Sequence, residues 1–300
     1  MSDPKPDQDA FDGVVITGIA ATASLGADAE SMWQAMLAGR CGIGPMPDIE
    51  SVLPPDSTGG QAIALPSAYF PTLPREARYL RWTIEHALRN AGAESLHPSA
   101  AARRCAVFGT TLHGMRAGGR FLRSGNVSEL NSFPASATAQ RAIHGLGIEG
   151  GVLTTCSACS SSLGAIALGV TLLECGYADL VIAGGYDAIS EYAWAGFQSL
   201  RLIAPGPLRP FCRGRQGMKV AEGYGIVVLE RASSALRRNA PVKARLAGWG
   251  ESADAHHLTQ PHPNGDGALS AMRQALQRAG VRPDELGMVA AHATGTPDND

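Results

Sequence analysis

The stretch from Gly151 to Leu173 constrains the fold of this chain more than any other. Apolar and β-compatible residues run from Gly151 to Thr155, small residues with thiols follow, and an Ala/Leu/Ile/Gly-rich run extends from Leu163 to Leu173. That run is long enough for about three helical turns and too short to cross a bilayer. The pattern is a strand, a tight turn of small residues, and a helix. It puts Cys159 at a helix N-terminus, where free backbone N–H groups and the helix dipole favour an anion. The thiolate is the nucleophilic form of cysteine. Ser160 to Ser162 and Gly164 keep side-chain bulk low beside it, so the turn reads as a nucleophile elbow.

Two other readings of the same residues stand beside this one. A free cysteine is commonly buried as a small hydrophobe, and Cys156-x-x-Cys159 has the spacing of a redox pair at a helix start. A zinc site needs two further ligands. The only other cluster of candidates, His256, His257 and His262, lies far along the chain, and Cys41, Cys105, Cys175 and Cys212 are scattered singly, so no metal is expected.

Strands and helices alternate along the rest of the chain. Residues 1–13 read as a disordered tail, Val14 to Gly18 as a strand, and Ala29 to Leu37 as a helix with Trp33 and Met36 on one side. Asp48 to Pro74 is a loop excursion, Arg75 to Ala91 an amphipathic helix, and Arg104 to Gly109 a strand entering Thr110-Thr111. Asn131 to Ile143 is loop then helix, Ala178 to Gly185 a buried strand, and Gly225 to Glu230 another. Val242 to Gly250 resembles a second copy of the opening pattern, with a helix at Ala268 to Ala279 and a strand at Met288 to His292. This alternation predicts a layered α/β fold, and the short apolar strands predict sheets covered on both faces. Only 17% of residues are charged against 45% hydrophobic, which implies extensive burial in a core or a subunit interface. A net charge of −2 gives no basic signal for nucleic acid or anionic membrane. Six cysteines without framework spacing, and an N-terminus without a hydrophobic signal core, fit a cytoplasmic protein. Gly223-Tyr224-Gly225 lacks a following helix pattern and a P-loop lysine, so nucleotide binding is not expected.

Several of these segments, in order, resemble the elongating β-ketoacyl-[acyl-carrier-protein] synthases, condensing enzymes of the thiolase-like fold. Val14 to Gly18 is similar to that family's opening strand, WQAMLAGRCG (Trp33 to Gly42) to the next helix and turn, and Thr155 to Ser162 to its T-A-C-S-S elbow. ADLVIAGG (Ala178 to Gly185), Arg209-Pro210-Phe211 with Glu222-Gly223-Tyr224-Gly225, Asp254 to His257 with Pro263-Asn264-Gly265, and His292 to Thr296 resemble further family motifs. The resemblance implies a layered αβαβα fold: a first half over 14–240 carrying the nucleophile, and the start of a second half over 241–300. It implies decarboxylative Claisen condensation of an acyl-enzyme with a malonyl thioester. Cys159 rather than Cys156 would be the nucleophile, its backbone N–H the oxyanion donor, and His292 the donor to the enolate oxygen. Leu112 would line the acyl pocket, and Thr294 and Thr296 would contact substrate.

The resemblance further implies substrates carried on the phosphopantetheine of an acyl-carrier protein, no bound cofactor, and a homodimer or a heterodimer with a related synthase. Arg75, Arg78 and Arg81 recur every third residue on one helix, so they share a face that is a candidate for docking an acidic carrier; an ordinary solvated face explains them equally. A non-catalytic chain-length-factor-like partner subunit is the alternative function, and retention of Cys159 argues against it. The family continues with a lysine motif, a second catalytic histidine and a glycine-rich turn bearing a phenylalanine. None of these follows His292, so the expectation is C-terminal truncation; if the 300 residues are the whole protein, it is expected not to complete the malonyl half-reaction. Cys212 and Gln216 at acidic family positions, Met218 and Lys219, and Ala293 in place of a glycine point to a divergent branch.

Overall fold

Buried residues on both sides of every central strand set the architecture. In β2 (Arg104–Gly109) each residue is buried, and in β4 (Leu180–Asp187) all but the last are. Because side chains alternate across a strand, Ala106, Phe108, Leu180 and Ile182 enter one core while Cys105, Val107, Val181 and Ala183 enter another. The computed structural model describes residues 13–94, 103–257, 260–297 and 299–300; the tail expected over residues 1–13 falls outside them except for Gly13.

Among the described residues the sheet has six strands in the order β3-β2-β4-β5-β1-β6. β3 (Val152–Thr155) and β4 flank β2 in parallel, with Gly109 level with both Thr155 and Gly185. β5 (Gly223–Arg231) runs antiparallel to β4 and to β1 (Val14–Ala23). On one face lie α2 (Arg75–Asn90) and α4 (Ala135–Ile143), whose Leu80, Ile84, Ala87, Ala139 and Ala142 fill the first core. On the other lies α5 (Ser161–Glu174), which contributes Ala165, Val170 and Leu173 to the second. α1 (Ala29–Leu37) begins with a capping box in which Asp28 accepts from the Ser31 N–H at 2.7 Å.

Three helices fall where the sequence reading marks no element: α3 (Met115–Ser124), α6 (Glu191–Ser199) and α7 (Ala232–Arg237). The chain then returns as β6 (Ala244–Leu246), which adds to the β1 edge of the same sheet, Val14 facing Leu246. α8 (Asp266–Ala279) follows as expected. The strand expected over Met288 to His292 is not formed. Met288 is 83% and Val289 71% exposed, so this β-prone run has no described neighbour to take its ladder hydrogen bonds.

Candidate active site

The parallel strands β2, β3 and β4 end together, and the chain leaves β3 there to form the elbow. Clefts at the carboxyl ends of parallel strands are where open α/β sheets bind ligands. Cys156-Ser157-Ala158-Cys159 turns sharply, with Ala158 at φ 51°, in the left-handed region that disfavours side chains. Ser160 stands at the N-cap position of α5, its hydroxyl turned back to donate to Ser157 O at 2.8 Å, and Cys159 precedes it, exposed, as is Cys156. The first turn of α5 rests directly on two glycines at the strand ends. A Cβ on Gly109 would run into the Ser161 carbonyl and the Ser162 N–H, and one on Gly185 into the Ser162 hydroxyl.

Hydroxyls hold the turn. The Ala158 carbonyl accepts from Ser161 Oγ at 2.6 Å, from Thr111 Oγ1 at 2.8 Å and from the Ser161 N–H at 3.1 Å. Ser161 Oγ accepts in turn from the Ser157 N–H at 2.9 Å. Thr111 is itself fixed by Asp187, the last residue of β4. Asp187 Oδ1 accepts from Thr110 Oγ1 at 2.8 Å, from the Thr111 N–H at 3.0 Å and from the Leu112 N–H at 2.7 Å. Burial pushes the Asp187 carboxyl above its ordinary value, and the bonds from Leu112, Thr110 and Thr111 only partly oppose that rise. Neither Thr111 nor Asp187 stood out in the sequence as a site residue. The available signal was their position, immediately after β2 and at the end of β4.

Leu112 is half-buried in the turn that Asp187 secures, beside the elbow. His292 lies exposed in an irregular segment, and among the described residues no hydrogen bond joins it to Cys159. The residues after it are docked on the 209–218 segment. The Gly217 N–H donates to Gly295 O at 2.9 Å, Arg215 Nε to Thr296 O at 3.0 Å, and the Phe211 N–H to Asp300 at 3.1 Å. The Thr294 and Thr296 hydroxyls bond each other at 2.9 Å, so both are engaged within this loop. Ala293 stands at φ 41°, a conformation that suits the glycine it replaces in the family pattern.

The basic stripe on α2 differs from expectation. Arg75 is buried against Glu222 and pairs with Asp48 at 2.8 Å, its guanidinium lying 4.3 Å from the Tyr79 ring centre. Although burial works against that charge, the Glu222 hydrogen bonds hold the Arg75 guanidinium above its ordinary value. Arg81 is 8% exposed and binds Glu85 at 2.9 Å and His144 O at 2.6 Å. Arg78, partly exposed like Arg75, forms no ion pair among the described residues; its guanidinium lies 5.6 Å from the Tyr79 ring and its Nε is buried without a hydrogen-bond partner. The helix face that carries these arginines packs onto neighbouring loops, which is why two of them are consumed by structural pairs. His256 and His262 meet edge to face at 4.9 Å, and the His262 N–H binds Asp254. No group of three His, Cys, Asp or Glu is placed to hold a metal among the described residues, nor is any described helix long and apolar enough to cross a membrane.

Comparison with known proteins gives consistent results. Residues 12–235 match the family described as beta-ketoacyl synthase, N-terminal domain, and residues 243–300 match beta-ketoacyl synthase, C-terminal domain. The chain is 36% identical over 305 residues to nodulation protein E of Rhizobium meliloti (strain 1021), covering 96% of this chain and 74% of that protein. It is 30% identical over 313 residues to 3-oxoacyl-[acyl-carrier-protein] synthase 2 of Synechocystis sp., with the same coverage, 96% and 74%. The solved ishigamide ketosynthase/chain length factor superposes with a TM-score of 0.88 at 28% identity, over 97% of this chain and 75% of that one. A beta-ketoacyl synthase from Burkholderia phymatum STM815 superposes with a TM-score of 0.83 at 27% identity, over 97% and 76%.

Proposed function

Because the chain belongs to the β-ketoacyl synthase family, we propose that it is an acyltransferase that condenses an acyl-enzyme with a malonyl thioester, Cys159 being the nucleophile. In the first step the Cys159 sulfur attacks the carbonyl of a carrier-bound thioester. A C–S bond forms and the carbonyl π pair moves to oxygen, where the Cys159 N–H receives it. Collapse expels the carrier thiol, which takes the proton lost by Cys159. In the second step a malonyl thioester loses CO₂ and its enolate carbon attacks the acyl-enzyme, giving a 3-oxoacyl thioester and freeing the sulfur. His292 donates to the enolate oxygen, a role imidazole fills while neutral. Leu112 borders the acyl chain, and Thr294 and Thr296 shape the His292 loop.

The observation that carries this reading is an exposed thiol on a strained, hydroxyl-braced turn at the mouth of three parallel strands. The substrates ride on the phosphopantetheine of an acyl-carrier protein, and no resident cofactor or metal is required. Of the three α2 arginines, Arg78 is the one left available for the carrier. β3 ends the sheet with Leu153 45% exposed, which supports pairing of this edge with a second synthase chain, identical or related. We place the protein in the cytoplasm, where a free thiol persists.

Mass spectrometry after incubation with an acyl-carrier thioester or a cerulenin-type electrophile tests the assignment. A single adduct on Cys159, absent from Cys159→Ala, is expected. A second reading, a non-catalytic partner that sets chain length, draws on the ketosynthase/chain length factor neighbours; an unmodified Cys159 would favour it. A reversible Cys156–Cys159 disulfide without acylation would favour a redox role instead.

A further inference from the structure

We propose that Thr111 and Asp187 form a clamp that aims the Cys159 N–H at the substrate oxygen. The Ala158–Cys159 peptide is trans, as is every peptide bond among the described residues. In a trans peptide the N–H points opposite to the carbonyl, so whatever fixes the Ala158 C=O also fixes the direction of the Cys159 N–H. Three donors converge on that carbonyl. Two come from Ser161, inside the turn itself, and one comes from outside it, the Thr111 hydroxyl at 2.8 Å.

Ser161 travels with α5, so its bonds tie the peptide to the sheet only indirectly, through the Thr155 hydroxyl of β3, which donates to the Ser161 carbonyl at 3.3 Å, and through the packing of this turn on Gly109. Thr111 supplies a direct tie. Its backbone is held through the Asp187 carboxylate, whose Oδ1 gathers three donors from Thr110, Thr111 and Leu112. Asp187 is paired in register with the antiparallel strand β5, opposite Gly223, and so belongs to the rigid part of the sheet. The clamp therefore runs from sheet to Asp187, to Thr111, to the Ala158 carbonyl. Ala158 at φ 51° has reason to relax without it. Both residues act through the peptide and neither touches substrate, so they are positioning residues.

This inference rests on Cys159 being acylated as proposed above, and the test separates the two. Two rates are measured on the full chain, both at the Cys159 sulfur. One is acyl transfer from octanoyl-N-acetylcysteamine, which passes through an oxyanion; the other is alkylation by iodoacetamide, which does not. Thr111→Val, nearly the same shape, should slow acyl transfer about tenfold at saturating thioester, a fraction of what loss of an oxyanion donor costs, and leave alkylation within about twofold. Asp187→Ala should do the same. Thr111→Ser and Asp187→Asn, which keep the hydroxyl and the Oδ1 acceptor, should recover acyl transfer to within about threefold of wild type. If both rates fall together, or if acyl transfer is unchanged in Thr111→Val, the clamp is overturned while the nucleophile assignment stands. If wild-type Cys159 is not acylated at all, the proposed function fails and the clamp with it. Should Asp187→Ala not fold, the Thr111 pair decides alone.

Discussion

Replacing Arg75 distinguishes a structural cation from a docking one, because its surroundings predict a large loss of stability and no specific loss of carrier recognition. Glu222, with its side chain fully buried, receives Arg75 Nε at 3.2 Å, the Ala62 N–H at 2.7 Å and the Ile189 N–H at 3.2 Å. Arg75→Ala leaves that carboxylate with two backbone donors and no counter-charge, and leaves Asp48 only the longer pair with Arg116 at 3.7 Å. Breaking one side of a buried pair costs about 3–5 kcal/mol. The two surviving N–H bonds soften the loss, so a value near 4 kcal/mol is taken. At about 2 °C per kcal/mol for a chain of this size, the thermal midpoint should fall by about 8 °C. Arg78→Ala, removing a partly exposed cation that forms no ion pair among the described residues, should shift it by about 1 °C or less. The assay is differential scanning fluorimetry alongside saturation with acyl-carrier substrate at a temperature where both variants are folded. A midpoint unchanged in Arg75→Ala, together with a raised Michaelis constant for the carrier, would refute the argument and restore Arg75 to the docking surface.

Gly109→Ala should push the first turn of α5 off the sheet, costing about 3 kcal/mol and lowering the rate of Cys159 acylation more than tenfold; near wild-type acylation in a folded variant would contradict the packing. Asp187 has its carboxyl raised in the folded chain, so it binds its proton more tightly there than when unfolded. Its contribution favours the fold most at low pH and is lost as pH rises from about 4, the ordinary carboxylate value, through the folded one. Thermal midpoints of Asp187→Asn minus wild type should therefore climb between pH 4 and 7, and a flat or falling difference would show the sign to be wrong. Leu153→Lys puts a charge on the β3 edge and should shift sedimentation from dimer toward monomer; an unaltered dimer would place the subunit contact elsewhere.

The long, strongly patterned elements were legible in the sequence. Ala29–Leu37, β2, α2, α5 and α8 lie where residue spacing put them, to within a few residues. α3 was not legible because MRAGGRFLRS contains adjacent glycines, poor helix formers. Tertiary contact holds it instead: Gly114 seats against the Ser132 and Phe133 carbonyls, and Arg120 pairs with Glu129 at 2.7 Å. α6 opens on Ser190, whose hydroxyl accepts from the Ala193 N–H at 3.2 Å, but its apolar face is weak. The Met288–His292 strand was expected from composition alone, and a strand needs a neighbour as well as β-prone residues. At the site, the thiol and the turn could be read locally. The Thr111–Asp187 support could not, since it joins residues far apart in sequence. The arginines of α2 were placed on one face correctly, but spacing says nothing about the Glu222 and Asp48 that come to meet them.

The bracing of the elbow has a consequence for how the protein is made. Thr111 lies 47 positions before the carbonyl it holds, and the carboxylate that steadies Thr111 lies 76 positions after it. Contacts of such separation form late, once most of the chain entropy has been surrendered. During synthesis Cys159 therefore emerges as an ordinary thiol, and its turn acquires a defined orientation only when the last residue of β4 has been translated and docked. Nascent and misassembled chains would thus carry the sulfur without the oriented N–H, so that acyl transfer, unlike simple alkylation, favours molecules that have finished folding.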